Sequence, residues 1–207
     1  PMIHYPLTTF AKAGITDILI VVSGPHVGHF LGVLKNGKDV GVKHLEYAYQ
    51  EKPDGGIADA LSLASDFADG ESIAVILGDN TTDADISESV KNFKDGALIF
   101  VKEVKDAKRF GVAVFDEKDP EKIIAIEEKP QNPKSNLAVT GLYFYDKNVF
   151  NVIKKIEPSQ RGELEISDVN NEYIKEGKLK WAKLNGYWSD AGTFKSLYLA
   201  TRYWAEK

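Results

Sequence analysis

The sequence predicts an α/β domain built on a doubly wound, mixed and mostly parallel sheet. Three observations carry that expectation. Short apolar β-branched runs alternate with helical patterns in the first half. Strand-like runs joined by charged turns crowd the middle, from Gly96 to Tyr145. Helical patterns return toward the end, and no Gly/Ser- or Pro-rich linker interrupts the chain, so residues 1–207 read as one domain.

In chain order, Leu7, Phe10, Ala11 and Ala13-Gly14 have helical spacing with a glycine stop. Asp17 to Val22 reads as a strand buried on both faces. Pro25 to Leu34 opens with a proline suited to a first helical turn. A strand over Lys43 to Tyr49, a helix over Ile57 to Phe67 and a buried strand over Ser72 to Leu77 continue the alternation. Ala97 to Val104, Gly111 to Phe115, Ile123 to Ile126 and Ala138 to Tyr145 read as strands, partly antiparallel. Helices over Asn148 to Lys155, Leu164 to Glu176 and Thr193 to Ala205, with a strand over Leu179 to Leu184, complete the pattern.

Composition narrows the function classes. The 207 residues are 43% hydrophobic and 28% charged, enough to bury a core without disulfides or a structural metal, and there is no cysteine for thiol or zinc-ribbon chemistry. The absence of cysteine fits a cytoplasmic location. The net charge of −5 argues against a nucleic-acid surface. Apolar runs such as Ile18 to Val22 fall far short of the roughly 20 residues that cross a bilayer.

Local chemistry concentrates at four places. In Leu77-Gly78-Asp79-Asn80 a carboxylate stands where a buried strand leaves the sheet, the usual ligand crevice of an open α/β sheet; a plain turn is the competing reading. Asp190, in Trp188-Ser189-Asp190-Ala191-Gly192-Thr193, reads locally as a turn residue or the cap of the last helix, and serves a site only if it lies beside Asp79. Two such carboxylates would suffice for Mg²⁺, which takes few protein ligands and completes its shell with water and phosphate oxygens. Gln50 to Leu61 sets a Gly55-Gly56 turn before a helix, offering backbone N–H groups. Glu127-Glu128-Lys129-Pro130 carries both charges at a strand end. The near P-loop Gly32 to Asp39 is rejected, because Asp39 replaces the Ser/Thr and a helix precedes it. His26 and His29 lack a nearby acid and read as surface histidines.

Together these segments, with Arg109-Phe110-Gly111-Val112, Ala138-Val139-Thr140-Gly141-Leu142-Tyr143 and Arg161-Gly162-Glu163-Leu164-Glu165-Ile166, resemble the sugar-1-phosphate nucleotidyltransferases over nearly the whole chain. The resemblance implies a Rossmann-like fold of the nucleotide-diphospho-sugar transferase type. It implies that Asp79 and Asp190 are catalytic and hold Mg²⁺, and that Gln50 and Gly55 or Gly56 recognise a pyrimidine. Gly111, Glu128, Lys129, Val139, Gly141 and Tyr143 would line the sugar-phosphate site, with Arg161 at a phosphate. The implied reaction joins dTTP and glucose 1-phosphate into dTDP-glucose and pyrophosphate. UTP as donor, or a non-catalytic nucleotide-sugar-binding regulatory homologue, are the alternatives. Ser189 departs from the family's usual Leu at that position, and Ala191 from its Thr.

The family's Gly-x-Gly-Thr-Arg-Leu loop, catalytic lysine and first strand are expected ahead of Pro1 and are not among the 207 residues. The expectation is an N-terminally truncated chain with its first strand lacking and its turnover impaired. A homo-oligomer is a further expectation, from the apolar stripe Phe194, Leu197, Tyr198, Leu199, Tyr203 and Trp204, which would equally serve the chain's own core.

Overall fold

The computed structural model describes residues 1–207, with His26 described through its backbone only, so the reading of that side chain lies outside the described residues. The elements are α1 (His4–Lys12), β1 (Asp17–Ser23), α2 (Val27–Leu34), β2 (His44–Gln50), α3 (Ile57–Ser62), α4 (Ser65–Ala68), β3 (Ile73–Ile76), β4 (Asn80–Thr82) and α5 (Ser87–Asn92). They continue as β5 (Ala97–Glu103), β6 (Gly111–Phe115), β7 (Ile123–Glu128), β8 (Leu137–Tyr145), α6 (Val149–Ile153), α7 (Ile166–Lys175), β9 (Leu179–Lys183), β10 (Trp188–Asp190) and α8 (Phe194–Ala205).

The sheet is mixed. β1 and β2 pair in parallel, as do β5 and β9, whereas β8 runs antiparallel to β3, β5 and β6, and β6 antiparallel to β7. β8 is the organising strand, with eight of its nine residues buried. Strand alternation sends Tyr143 and Tyr145 to one face and Leu142 and Phe144 to the other. On the first face they meet α3, α6 and α7 through Leu61, Val152 and Val169; on the second they join Leu7, Phe10 and Leu34 of α1 and α2. Helices therefore cover both faces, as a doubly wound sheet requires.

Between β1 and β3 runs an apolar groove of about 980 Å³, lined by Ile18, Ile20, Val22, Ala74 and Ile76 among others. β1 has β2 as its described strand partner and β3 has β8, so each brings an edge without a described ladder to this groove.

Two expected elements differ in detail. The helix expected over Ile57 to Phe67 divides into α3 and α4, because Leu63 and Ala64 donate to Ala60 and Leu61 three residues back and tighten the turn. The helix expected from Leu164 starts at Ile166, because the Leu164 backbone is committed elsewhere: its N–H donates to Gly55 O and its carbonyl accepts from Ala58 N. At α8, Thr193 forms a capping box with Ser196, so Asp190 is not the cap. The apolar stripe of α8 is split. Tyr203 and Trp204 join a ring cluster with Tyr187 and Tyr5, while Phe194, Leu197, Tyr198 and Leu199 are exposed. Among the described residues no helix is long and apolar enough to cross a membrane.

Candidate active site

The two acids singled out in the sequence meet through a pair of three-residue strands. β4 and β10 are antiparallel, with Asp190 opposite Asn80, the neighbour of Asp79. The Asp79 carbonyl accepts from Ala191 N at 2.7 Å, which locks the two turns together. Burial, and the charge of Asp79 after it, raise the Asp190 pKa, while the Arg109 guanidinium opposes that rise. Arg109 Nη2 lies 3.1 Å and 3.3 Å from the two Asp190 oxygens. Its guanidinium also sits over the Phe110 ring, whose edge meets Trp188.

Whether this pair suits a hard divalent cation can be tested on its donors and its space. Both groups supply carboxylate oxygens, and a Cβ on Gly192 would come within 2.9 Å of Asp79 Oδ2, so the glycine keeps the approach to that oxygen open. No cluster of three or more potential ligands occurs among the described residues. The donor set therefore fits Mg²⁺ shared with phosphate oxygens rather than a closed protein cage.

A second cluster forms where β6 begins and β7 ends. Gly111 is paired with Glu128, and a Cβ on Gly111 would stand 3.1 Å from Ser167 Oγ and 3.3 Å from Glu128 Oε2. Ser167 Oγ donates to Glu128 Oε2. Lys129, held in the left-handed region at φ +43°, lies 3.8 Å from Glu128 Oε1, and Arg161 reaches the same oxygen at 3.8 Å. Arg161 binds Glu165 more closely, at 2.8 Å and 2.9 Å, with Glu163 at 3.2 Å. The Glu165 hydrogen bonds, the largest effect, raise its pKa further.

β8 links the two clusters. Val139, Gly141 and Tyr143 stand at alternate positions and so share one face. The Tyr143 pKa is raised, by burial first and then by the charges of Glu128 and Asp79, so the ring lies within the field of both clusters.

The third group lies at the end of β2. Gln50, 8% exposed, donates from Nε2 to Gly56 O at 3.2 Å and to Asp59 Oδ2 at 2.8 Å. Both partners only accept, which fixes the amide with Oε1 on the other side. Gly55 N–H is spent on Lys52 O, and among the described residues Gly56 N–H has no backbone acceptor. Gly56 adopts φ +93°, and a Cβ there would meet Leu164 O at 2.4 Å. Only glycine fits.

Asn80, Arg109, Ser167 and Glu165 carry no local signal of their own, although Asn80, Arg109 and Glu165 stand inside the motifs that carry the resemblance. Asp79-Asn80 reads as turn chemistry, and the Arg109 contact to Asp190 spans too much chain for local pattern to reveal.

Comparison with known proteins identifies the family. The nucleotidyl transferase family profile matches residues 1–207. Among curated relatives, glucose-1-phosphate thymidylyltransferase of Neisseria meningitidis is 40% identical over 98% of this chain and 71% of its own length. That of Xanthomonas campestris pv. campestris is 41% identical over 98% and 70%. A Bacillus anthracis crystal structure assigned as a glucose-1-phosphate thymidylyltransferase, in complex with a sucrose, superposes with TM-score 0.89 at 45% identity, covering 98% of this chain and 82% of that one. A UDP-glucose pyrophosphorylase bound to UDP-glucose shares the fold, with TM-score 0.83 at 19% identity. A profile spanning every residue, relatives sharing two residues in five, and an acid pair assembled from distant segments at a sheet edge have one common reading: the chain belongs to the nucleotidyl transferase family.

Proposed function

We propose that the protein binds dTTP and glucose 1-phosphate and joins them into dTDP-glucose and pyrophosphate. The observation that carries this reading is the meeting of Asp79 and Asp190 at the β4–β10 pair, which Asn80 ties to β8, the strand that also pairs with β6 of the Gly111–Glu128 cluster. A phosphate oxygen of the sugar phosphate is the nucleophile and attacks the α-phosphorus of dTTP, and the bond from that phosphorus to the α,β-bridging oxygen breaks to release pyrophosphate, so the protein needs positioning and positive charge more than a general base.

Each group then has a task. Asp79 and Asp190 hold Mg²⁺. Bound there, Mg²⁺ would supply neutralisation of phosphate charge and alignment of the reacting oxygens. Arg161 and Lys129 offer cations to the sugar phosphate, and Glu128, braced by Ser167, accepts from sugar hydroxyls. Gly111, Val139, Gly141 and Tyr143 shape the floor beneath it. Gln50 Oε1 and the Gly56 N–H face a pyrimidine as acceptor and donor, matching the N3–H and a carbonyl of thymine. Uracil presents the same edge. A buried methyl group separates the two donors by only about 1–3 kcal/mol. The exposed Phe194, Leu197, Tyr198 and Leu199 support self-association, which light scattering measures.

Pyrophosphate release tests the reading. The account expects release that requires dTTP, glucose 1-phosphate and Mg²⁺ together. Release independent of the sugar phosphate, or none with native protein at high concentration, contradicts it.

A further inference from the structure

Asn80 is the first residue of β4 and only 3% exposed, so its carboxamide is nearly cut off from water. All three of its bonds go to different parts of the fold. Nδ2 donates to Asp79 Oδ1 at 2.9 Å. Oδ1 accepts from Gly141 N on β8 at 3.1 Å and from the Trp188 indole on β10 at 2.7 Å. A backbone N–H and an indole N–H can only donate, so both must face the amide oxygen. The amide hydrogens are thereby turned toward Asp79, and the orientation follows from chemistry alone.

Few side chains could replace it. Aspartate keeps the acceptor for Gly141 and Trp188 but presents a second acceptor, with negative charge, to Asp79. Leucine fills the space and leaves two buried donors unpaired, which costs free energy. Glutamine is one methylene too long for a site where Gly141 already lacks room: a Cβ on Gly141 would meet Asn80 Nδ2 at 2.7 Å and Leu77 Cγ at 2.8 Å. The glycine of β8 and the asparagine of β4 are fitted to one another.

From this geometry we infer that Asn80 is a positioning residue: it orients the Asp79 carboxylate, leaving Oδ2 toward the space kept by Gly192, and fixes that carboxylate against the strands bearing Asp190 and Gly141. The inference rests on the proposed reaction for its kinetic consequence, but its structural part, the aiming of a cation-binding oxygen, stands apart from turnover. Groups that hydrogen-bond a ligating carboxylate typically change metal affinity or activity by about 10–100-fold when removed.

The test uses the full chain with Mn²⁺ alone as probe, read by the loss of free-ion electron paramagnetic resonance, alongside pyrophosphate release at pH 8. Asn80→Ala should weaken Mn²⁺ binding about tenfold and lower kcat about 10–100-fold. The KM for dTTP should stay within about twofold, because the pyrimidine-facing groups sit on β2 and the turn before α3. Asn80→Asp retains both accepted bonds but sets a second carboxylate against Asp79, so it should fold with a lowered Tm while kcat falls as in the alanine variant. This second variant carries the test if Asn80→Ala does not fold. Parental kcat in Asn80→Asp, or unchanged Mn²⁺ affinity in a folded Asn80→Ala, overturns the inference. An inactive parent with a clear Mn²⁺ difference between it and Asn80→Ala would instead refute the reaction and leave the positioning role standing.

Discussion

The β4–β10 pair and the β5–β8 ladder solve opposite problems. The ladder is long and apolar: Ala97, Ile99, Val101, Tyr143 and Tyr145 are at most 4% exposed, and burial of their surface holds the strands in place. β4 and β10 have three residues each and no apolar stripe, and are held by polar side chains instead. Thr82 Oγ1 donates to Tyr187 O at 2.6 Å, the Trp204 indole donates to Thr81 Oγ1 at 2.5 Å, and Asp83 accepts from Tyr187 N, Tyr203 Oη and Lys207 Nζ. Directional bonds fix orientation where bulk burial cannot. The acids sit at the polar pair and the proposed sugar-phosphate floor on the ladder, which separates what would aim the chemistry from what supports it.

That separation makes the two regions breakable one at a time. The largest effect is expected from Asp79→Asn. Loss of a cation-holding carboxylate should cost several kcal/mol of transition-state stabilisation, roughly a hundred- to thousandfold in kcat/KM. The Tm should move by no more than about 2 °C, since the Asp79 side chain is not part of either apolar core. Steady-state kinetics beside calorimetry would show it, and an equal loss of stability would blur the division drawn here.

Tyr173→Ala is the converse. This side chain is fully buried on α7, its ring 5.8 Å from that of Tyr145, and its hydroxyl donates to Asp146 Oδ1 at 2.7 Å. Truncation should cost about 3–5 kcal/mol in urea unfolding, from the cavity it opens. Folded Tyr173→Ala should keep the parental KM for dTTP. A cost under about 1 kcal/mol would mean that the ladder side is not the supporting half.

The smallest effect concerns acid. Burial alone would raise the Asp83 pKa, yet the bonds from Lys207, Tyr203 and Tyr187 N outweigh it and hold the group at about 2. Because the folded value lies below the unfolded one near 3.9, the folded state is favoured by ionised Asp83 above about pH 4, and that contribution fades as pH falls toward 2. Asp83→Asn should therefore flatten the dependence of Tm on pH between 4 and 2. An unchanged slope would remove Asp83 from the polar pair's supports.

The same contrast governs what the sequence could disclose. β8 was legible because its buried run is long, and β1 and β5 because Ile, Leu and Val repeat on both faces. Asn80-Thr81-Thr82 and Trp188-Ser189-Asp190 carry no hydrophobic period, since their stability comes from partners over a hundred positions away in the chain. Asp79 was found through its place at a strand end. Asp190 could be tied to it only by resemblance, and by local pattern it looked like a helix cap; the actual cap, Thr193, follows three residues later. Arg109 and Asn80 carry no local signal for the same reason, because their contacts exist only once the fold has brought Asp190, Gly141 and Trp188 beside them.

The most direct measurement is anomalous diffraction from crystals grown with Mn²⁺ and dTDP-glucose. The account predicts a Mn²⁺ peak between the carboxylates of Asp79 and Asp190, in contact with the nucleotide phosphates, and the thymine ring against Gln50 and Gly56. A peak bound elsewhere, or thymine seated away from the end of β2, would contradict it.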